Sequence, residues 1–381
     1  MAVTLDSLPR LKSALGRVRP VDPDWRHRAE VKLANLTKPP NSLGRIEWLA
    51  ARLCAIQETL SPRAAPRRIV VFAADHGVTA EGVSAYPSAV TAQMVGNFLR
   101  GGAAINALAR AASADVWVVD VGVAGEVGVA GDVDAAGSAA AGGDAAFRSR
   151  RVRPGTRNIA EGPAMSHDEL AAAISAGFEM ADAAATDGVA VLACGDMGIG
   201  NTTAASAITA ALARASAVEV TGRGTGIDEP TFLRKIDVVT RALRVNRPGR
   251  EPLEVLRTVG GLEIAAIVGA YIGAAARRLA IVGDGFIAGA AALVAADMCP
   301  SFLDYWFAGH QSLEPGHAVQ LRLLRQEPLL QLEMRLGEGT GAALAMHLLS
   351  AAAVVMNGMA TFDSAGVSRR REVSEPETAG A

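Results

Sequence analysis

Val189–Thr203 reads VAVLACGDMGIGNTT, and this segment decides the fold. Its apolar start, Val189–Ala193, is typical of a strand that a parallel sheet buries on both faces. A glycine-rich loop follows, and an alanine-rich helix is predicted over Ala204–Ala213. A helix that starts near Asn201 and Thr202 directs free N–H groups and the positive end of its dipole at one point. The loop therefore predicts an anion site, although an ordinary helix N-cap explains it equally well.

Other apolar runs repeat this order of strand, loop and helix. Strands are predicted over Ile69–Ala73, Val116–Val121, Val189–Ala193, Val218–Thr221, Leu279–Val282 and Ser301–Phe307. Most end in a glycine-bearing loop followed by a helix, which is the pattern of a parallel, doubly wound α/β sheet. Ligands of such sheets lie at the carboxyl ends of the strands. The residues predicted there are Asp75, Asp196, Asp284 and Ser312.

The remaining segments predict helices and loops. Helices are expected over Trp25–Leu36 and Ser42–Gln57, and over Thr91–Ala111 with an interruption at Gly101. Gly122–Gly143 is an Ala/Gly/Val/Asp stretch without periodicity, which indicates a loose loop or an insertion. The tail from residue 364 onward is charged and contains Pro and Gly, so we expect disorder there.

Composition indicates a cytoplasmic, soluble enzyme. The 381 residues are 50% hydrophobic and 20% charged, with a formal net charge of −2, and no basic block suggests nucleic acid. The 40 glycines predict helices that pack closely. Three scattered cysteines, Cys54, Cys194 and Cys299, predict unpaired thiols in a reducing compartment. The apolar run Ala342–Met356 is too short for a membrane span, and no signal peptide is evident.

Two further glycine-rich segments carry candidate ligand-binding residues. Glu338 lies between Gly337 and Gly339, where a flexible turn opens an apolar helix. Such a carboxylate is placed to reach a ligand, or it complements the helix dipole. The segment Thr221–Asp228, TGRGTGID, leads into a helix that carries Lys235. Lys235 alone is typical of a solvated charge, but two glycine loops and a lysine together suggest a phosphate held from several sides.

Six segments together resemble one family. They are Lys38–Arg45, Ala74–Val78, Ser84–Pro87 with Val90–Met94, Gly195–Thr203, Gly309–Ser312 with Glu314–His317, and Met334–Gly341. In this order, from about residue 20 to about residue 363, they look like nicotinate-nucleotide–dimethylbenzimidazole phosphoribosyltransferase, which serves the lower-ligand branch of cobalamin (vitamin B12) synthesis.

The resemblance implies a Rossmann-like large domain over residues 66–345. It implies a small helical domain built from both chain ends, residues 1–65 and 346–365, with 366–381 as a disordered tail. It also implies a homodimer in which the partner's small domain helps to close each active site. The expected reaction moves 5-phosphoribosyl from nicotinate mononucleotide to 5,6-dimethylbenzimidazole.

The resemblance also implies roles for particular residues. Glu338 matches the catalytic base. Residues that match the binding site of the nucleotide phosphate and ribose are Asp196, Gly198, Gly200, Asn201, Thr202, Gly224, Lys235, Ser312 and Gly337. Those that match the benzimidazole pocket are Ser84, Gln93 and Leu336, although Ser84 equally predicts a simple turn. Many relatives have Glu where this chain has Asp196, which shortens the carboxylate by one methylene.

The sequence predicts no metal and no cofactor. The six histidines form no His-x-x-x-His pair, and departure of a pyridinium discharges a cation without help from a metal. Asp75-His76 suggests a base–acid pair, but an Asp at a strand end often caps the next helix. For His310 and His317, which lie close together in sequence, we expect hydrogen bonding within the loop. Three alternatives remain: a magnesium-dependent ATP enzyme, a non-catalytic nucleotide-binding protein, and the same transfer to adenine or a phenolic base.

Overall fold

Parallel strands form the centre of the fold in the computed structural model, which describes residues 4–128, 138–139 and 145–369. The strands found in these residues form one sheet: β1 (Arg67–Ala74), β2 (Ala114–Gly122), β3 (Ser138–Ala139), β4 (Ala145–Ser149), β5 (Val191–Met197), β6 (Ala280–Gly283) and β7 (Trp306–Ala308). The apolar strand β1 is buried along almost its whole length, as both faces of the sheet are covered.

The strand order confirms the predicted Rossmann-like, doubly wound sheet. Six strands are parallel in the order β4-β2-β1-β5-β6-β7, and short β3 pairs with β4 in the antiparallel sense. Ranked along the chain, the parallel strands read 3-2-1-4-5-6, whose direction of winding reverses between β1 and β5. That switch point is where ligands of such sheets bind.

The strand register brings the acidic strand ends to one edge. Phe72 of β1 pairs with Asp196 of β5, and Cys194 of β5 pairs with Gly283 of β6. Asp75 and Asp284 follow these strands directly, so three carboxylates meet at the carboxyl edge of the sheet.

Helices surround this sheet. The α-helices in the described residues are α1 (Pro9–Leu15), α2 (Pro23–Ala34), α3 (Arg45–Gln57), α4 (Ala89–Leu99), α5 (Ala104–Ala111), α6 (His167–Thr186), α7 (Asn201–Ala213), α8 (Ala217–Val220), α9 (Glu229–Asn246), α10 (Pro252–Val259), α11 (Leu262–Ala276), α12 (Phe286–Met298), α13 (Pro315–Leu324), α14 (Thr340–Gly358) and α15 (Phe362–Ala365). Short 3-10 turns span Leu5–Ser7, Gly77–Glu81 and Pro300–Asp304.

Glycines allow the main buried helices to touch through their backbones, as the composition predicted. A Cβ at Gly177 of α6 would lie 1.8 Å from the Ala266 carbonyl oxygen of α11. A Cβ at Gly269 of α11 would lie 2.0 Å from the Ile174 carbonyl oxygen of α6. No side chain fits at either position, so α6 and α11 approach more closely than bulkier residues permit.

The chain divides into two compact units. One contains the described residues of Met1–Val21 and Ala64–Leu348, and the other those of Asp22–Arg63 and Leu349–Ala381. The smaller unit is helical and draws on residues from both ends of the chain. The predicted boundary at residues 1–65 differs from this division, because α1 belongs to the larger unit. Its Leu11 and Ala14 are buried, and Arg10 lies 3.0 Å from the Asp182 carboxylate of α6.

The smaller unit has a buried ion pair within its first chain segment, and two contacts join that segment to the second. Lys38 Nζ lies 2.7 Å from Glu47 Oε2, with both side chains nearly inaccessible to solvent. Leu36 forms an isolated bridge with Thr361, and Asn357 Nδ2 donates to the Pro62 carbonyl at 2.9 Å.

Several local predictions were wrong. Val218–Thr221 is not a strand, because Ser216 and Glu219 form a capping box that starts α8. Only the end of Ser301–Phe307 is a strand, β7, after a 3-10 turn. Gly122–Gly143 was predicted as a loose loop or insertion but contains the two-residue strand β3, while 129–137 and 140–144 lie outside the described residues.

Two predictions concerned the C-terminal part of the chain, namely its tail and its apolar helix. Residues 366–369 have no regular structure, and the rest of the predicted tail lies outside the described residues. Helix α14 has 19 residues and is long and apolar enough for a membrane span, although its apolar run was predicted to be too short. Half of its apolar stretch is buried inside the protein, and core helices of soluble proteins have the same length and composition.

Candidate active site

Two helix N-termini meet at a cleft in the larger unit. Helix α7 follows β5 and starts after Gly200, whose φ of 97° is accessible mainly to glycine. Helix α12 follows β6 and starts after Gly285. No described side chain caps either helix, and residues of both first turns line the cleft. Uncapped N–H groups and two helix dipoles make this cleft suited to an anion.

Lys235 lies behind the loop and supplies a positive charge. Its side chain is 1% exposed, and Nζ donates to Thr202 Oγ1 at 2.8 Å and to the Gly222 carbonyl at 3.2 Å. Burial lowers its pKa to about 8, and the charge of Glu314 opposes that shift. An anion in the cleft would favour the charged form, so Lys235 is not the solvated charge that the isolated sequence suggests.

The loop between α8 and α9 forms one wall of the cleft. Gly224 N–H donates to Glu314 Oε1 at 2.9 Å, and its carbonyl accepts from Arg335 Nη1 at 2.6 Å. A Cβ at Gly222 would lie 2.1 Å from Glu314 Oε2, so glycine is required for the loop to pack against this carboxylate. Glu314 is 6% exposed, and its Oε2 has no hydrogen-bond partner among the described residues.

Ser312 lies on the facing loop and is fixed by His317. Its N–H donates to His317 Nδ1 at 2.9 Å, and its hydroxyl accepts from Glu314 N–H at 3.3 Å. Burial lowers the pKa of His317 to about 3, so the imidazole is neutral and accepts at Nδ1. The histidine therefore supports the loop by hydrogen bonding, as expected, rather than by charge.

Glu338 lies on a turn that holds three consecutive residues in the left-handed region. Gly337, Glu338 and Gly339 have φ values of 84°, 63° and 88°. Gly195 makes room for this turn, because a Cβ there would lie 2.3 Å from the Glu338 carbonyl carbon. The Glu338 N–H donates to the Asp196 carbonyl at 3.2 Å, which joins the turn to the end of β5.

Asp284, rather than Glu338, satisfies the N-terminus of α14. Its Oδ2 accepts from Gly339 N–H at 3.3 Å and its Oδ1 from Ala342 N–H at 3.0 Å. The Glu338 carboxylate instead accepts from Ile105 N–H, in the first turn of α5, at 3.3 Å. The alternative in which Glu338 complements the dipole of the helix that it opens does not apply.

The environment makes Glu338 a stronger base than an exposed glutamate. The residue is 4% exposed, and burial raises its pKa to about 6, with repulsion from Asp284 adding to the effect and the Ile105 hydrogen bond opposing it. A carboxylate with this pKa is mostly ionised at neutral pH and accepts a proton more readily than an ordinary one.

Asp196 lies beside this turn in a crowded acidic environment. Its Oδ2 accepts from Asn201 Nδ2 at 2.8 Å, and a Cβ at Gly337 would lie 3.0 Å from that oxygen. Burial raises its pKa well above the usual value, and the charges of Asp284, Glu263 and Glu338 add to this. Asp196 therefore belongs to a cluster of acidic side chains that includes the candidate base, Glu338.

The structure gathers most of the predicted site residues. Those that line the cleft are Asp196, Gly198, Asn201, Thr202, Gly224, Ser312, Leu336 and Gly337. Gly200 and Lys235 adjoin it through Asn201 and Thr202, and Glu338 adjoins it through Gly337.

Two predicted benzimidazole residues lie apart from that cleft. Ser84 Oγ accepts from Tyr86 N–H at 3.2 Å, which is the simple turn that the sequence also predicts. Gln93 is exposed on α4. Their proposed contacts with a base remain predictions.

Sequence reasoning assigned no role to five residues that shape the site. These are Glu263, Gly285, Phe286, Glu314 and Arg335. One signal was available for Glu263, since it is the single charged residue in the apolar run LEIAAIVGAYIGAAA. Glu314 and Arg335 lie in the segments Glu314–His317 and Met334–Gly341 that carry the resemblance, but their contacts join loops distant in sequence. The described residues contain no group of three or more His, Cys, Asp or Glu suited to a metal ion.

Comparisons with known proteins agree with this geometry. The family model DBI_PRT, described as phosphoribosyltransferase, matches residues 18–367. The nicotinate-nucleotide–dimethylbenzimidazole phosphoribosyltransferase of Geobacter metallireducens is 48% identical over 363 residues, covering 95% of this chain and 99% of the relative. The Thermus thermophilus protein of the same name is 51% identical over 349 residues, covering 92% of this chain and 100% of the relative.

A solved structure shows the same fold. The crystal structure of CobT from Thermus thermophilus superposes with a TM-score of 0.84 at 50% identity, covering 91% of this chain and 100% of that one. Sequence, fold and cleft thus point to one conclusion. The chain belongs to the nicotinate-nucleotide–dimethylbenzimidazole phosphoribosyltransferase family.

Proposed function

We propose that this enzyme transfers 5-phosphoribosyl from nicotinate mononucleotide to 5,6-dimethylbenzimidazole, giving α-ribazole 5′-phosphate and nicotinate. The observation that carries the proposal is Glu338: a buried carboxylate with a pKa of about 6 beside an anion-binding cleft. The relatives that bear the name of this reaction cover more than nine tenths of the chain.

The donor's phosphate lies at the N-termini of α7 and α12. Backbone N–H groups of the first turns donate to its oxygens, and the two dipoles favour its negative charge. Lys235 adds a full charge through its position behind Thr202. Asn201 orients Asp196 for contact with the ribose hydroxyls, and the shorter side chain of Asp196 sets how far it reaches.

The chemistry needs one base. Glu338 takes the N–H proton of the incoming imidazole while the other ring nitrogen attacks C1′ from the face opposite the nicotinate. The C1′–N bond breaks, and its electron pair neutralises the pyridinium as nicotinate departs. Attack from the opposite face inverts C1′ and gives the α-linkage. Leu336, Ser84 and Gln93 are proposed to contact the benzimidazole.

We also propose a homodimer that works in the cytoplasm without a metal or cofactor. Large apolar side chains are exposed on the smaller unit, with Val31 57% and Val354 68% accessible, which a second copy would cover. Cys54, Cys194 and Cys299 are free, as expected for a reducing compartment. Departure converts the pyridinium nitrogen into a neutral ring nitrogen, so no negative charge develops on the leaving atom for a metal cation to balance.

Product analysis tests the proposal directly. Purified enzyme is incubated with nicotinate mononucleotide and a panel of dimethylbenzimidazole, adenine and a phenolic base, and products are identified by mass spectrometry. We expect α-ribazole 5′-phosphate and an equal amount of nicotinate. Transfer only to adenine or a phenolic base would keep the chemistry and change the acceptor. Binding of the mononucleotide without nicotinate release with any acceptor would instead indicate a non-catalytic protein.

A further inference from the structure

A buried ion pair lies beneath the loop Gly198–Asn201, in the larger unit. His76 follows β1 and is 2% exposed, while Glu263 in the first turn of α11 is 0% exposed. His76 Nε2 and Glu263 Oε1 lie 2.8 Å apart. Neither residue lines the cleft, and the proposed reaction has no step for either of them.

Glu263 stands at an unfavourable place for a charge. It is the one charged side chain of α11, whose residues are buried from Leu262 to Ala275. Burying a lone carboxylate is costly, and removing the partner of a buried pair is strongly destabilising. An amide or an apolar residue would fill this position more cheaply, so the pair requires an explanation beyond packing.

His76 packs directly against the backbone that forms the anion site. A Cβ at Gly198 would lie 3.4 Å from His76 Cδ2, and one at Gly200 would lie 3.1 Å from His76 Cβ. On the other side, a Cβ at Gly261 would lie 2.5 Å from His76 Cε1 and 2.6 Å from Glu263 Oε2. The ring is therefore confined between the loop and the start of α11.

We propose that the His76–Glu263 pair is a positioning element for the donor nucleotide. His76 supports Gly198 and Gly200 from beneath, and as an imidazolium it balances the charge that Glu263 places near Asp196. The pair touches no substrate and acts through the loop and through Asp196. This inference rests on the proposed transfer reaction, because its main assay measures the kinetics of that reaction.

The charges around the pair give the proposal a signature in pH. Burial lowers the pKa of His76, but Glu263 from α11 and Asp75 from the end of β1 outweigh it, so the pKa is raised overall. Burial raises the pKa of Asp196, and repulsion from Asp284, Glu263 and Glu338 raises it further. Loss of the imidazolium would leave Glu263 unbalanced and raise the pKa of the neighbouring acids further.

The test compares His76→Gln, Glu263→Gln and the double variant. Values of kcat and of KM for each substrate are measured from about pH 5 to about pH 9. We expect His76→Gln to raise KM for nicotinate mononucleotide roughly tenfold, with less than about a twofold effect on dimethylbenzimidazole. It should also shift the acid limb of kcat/KM upward by roughly one pH unit. Glu263→Gln should shift that limb downward, and the double variant should return it towards the wild-type position.

A matched control and a second measurement keep the outcomes distinct. His27→Gln on the exposed face of α2 should change neither KM nor the acid limb. An unmoved acid limb, with equal losses for both substrates, would show that the pair only fills the core and would overturn the proposal.

If the variants do not fold, nuclear magnetic resonance of ¹⁵N-histidine in the full-length wild-type protein decides. An imidazolium signal for His76 at neutral pH is expected, and a neutral ring would refute the charge-balancing role. Absence of any transfer by the wild-type enzyme would count against the proposed function instead, and the resonance result would still stand.

Discussion

The substitution Glu338→Gln separates catalysis from stability at one residue. Burial raises the pKa of Glu338 from the ordinary 4.5 to about 6. Ionisation of Glu338 is therefore less favourable in the folded protein than in the unfolded chain. Each pKa unit corresponds to about 1.36 kcal/mol, so the difference of about 1.5 costs the folded state about 2 kcal/mol once the group is ionised.

The sign of this effect fixes the pH window. The cost is absent below pH 4.5, where both states are protonated, grows between 4.5 and about 6, and is complete above that range. Glutamine resembles the neutral acid and keeps an oxygen that can accept from Ile105 N–H. We expect Glu338→Gln to raise the free energy of unfolding by up to about 2 kcal/mol at neutral pH, with the gain vanishing as pH falls.

Catalysis should change in the opposite direction. Without a proton acceptor, kcat should fall by about 10²–10⁴-fold, while the affinity for nicotinate mononucleotide stays nearly unchanged. In the wild-type enzyme, kcat/KM should decline as pH falls through about 6, because the base becomes protonated. Mass spectrometry of α-ribazole 5′-phosphate measures the first effect, and urea unfolding at several pH values measures the second.

Two results would refute this reasoning. Near-wild-type kcat for Glu338→Gln at neutral pH would place the base elsewhere, with Asp196 or Asp75 next in line. A loss of stability at neutral pH would mean that the ionised carboxylate is favoured by its surroundings, contrary to the effect of burial. Glu333→Gln, on the exposed segment just before the turn, is the matched control and should change neither quantity.

Three other predictions concern the phosphate site, metal dependence and assembly. Lys235→Ala removes the buried cation, and Gly198→Ala adds a Cβ that would lie 2.2 Å from the Ala74 carbonyl oxygen. Each variant should raise KM for nicotinate mononucleotide at least about tenfold more than KM for dimethylbenzimidazole. Equal effects on both substrates would argue against a phosphate at these loops. EDTA should leave the rate of transfer unchanged. Loss of activity in EDTA, with recovery when Mg²⁺ is added, would contradict transfer without a metal. Light scattering should give twice the 39.1 kDa of one chain, whereas full activity at 39.1 kDa would exclude a required dimer.

The sheet was predictable because its signals are local. Each strand is a short apolar run between turn residues, and Val189–Thr203 contains strand, loop and helix start in one stretch. β4 was missed because Ala145–Ser149 follows a weakly patterned segment. Its pairing with β2, which is distant in sequence, leaves no local signal. Val218–Thr221 has a strand's composition, but the Ser216–Glu219 capping box outweighs that propensity.

The local signals for the candidate site were glycines and the carboxyl ends of strands. Glu338 and the loop Gly198–Asn201 stand out because glycines surround them. Asp284 was expected at a strand end, but the contacts of Ile105 and Glu314 with the site depend on tertiary folding, since both residues reach it from other elements. The capping of α14 is one example of a role decided by tertiary contacts. The sequence makes Glu338 the nearby candidate for that role, but Asp284, which follows β6, accepts from the N–H groups of Gly339 and Ala342.

Glu338 combines two unfavourable features that a merely structural residue would not keep. Its φ of 63° lies in the left-handed region, which costs a non-glycine residue roughly 1–2 kcal/mol. Its buried charge costs about 2 kcal/mol more at neutral pH. A glycine here would remove both costs, since Gly337 and Gly339 already adopt the same conformation. The turn therefore holds its carboxylate at a cost in stability, at the edge of a cleft suited to an anion, and the proposed role as catalytic base accounts for that cost.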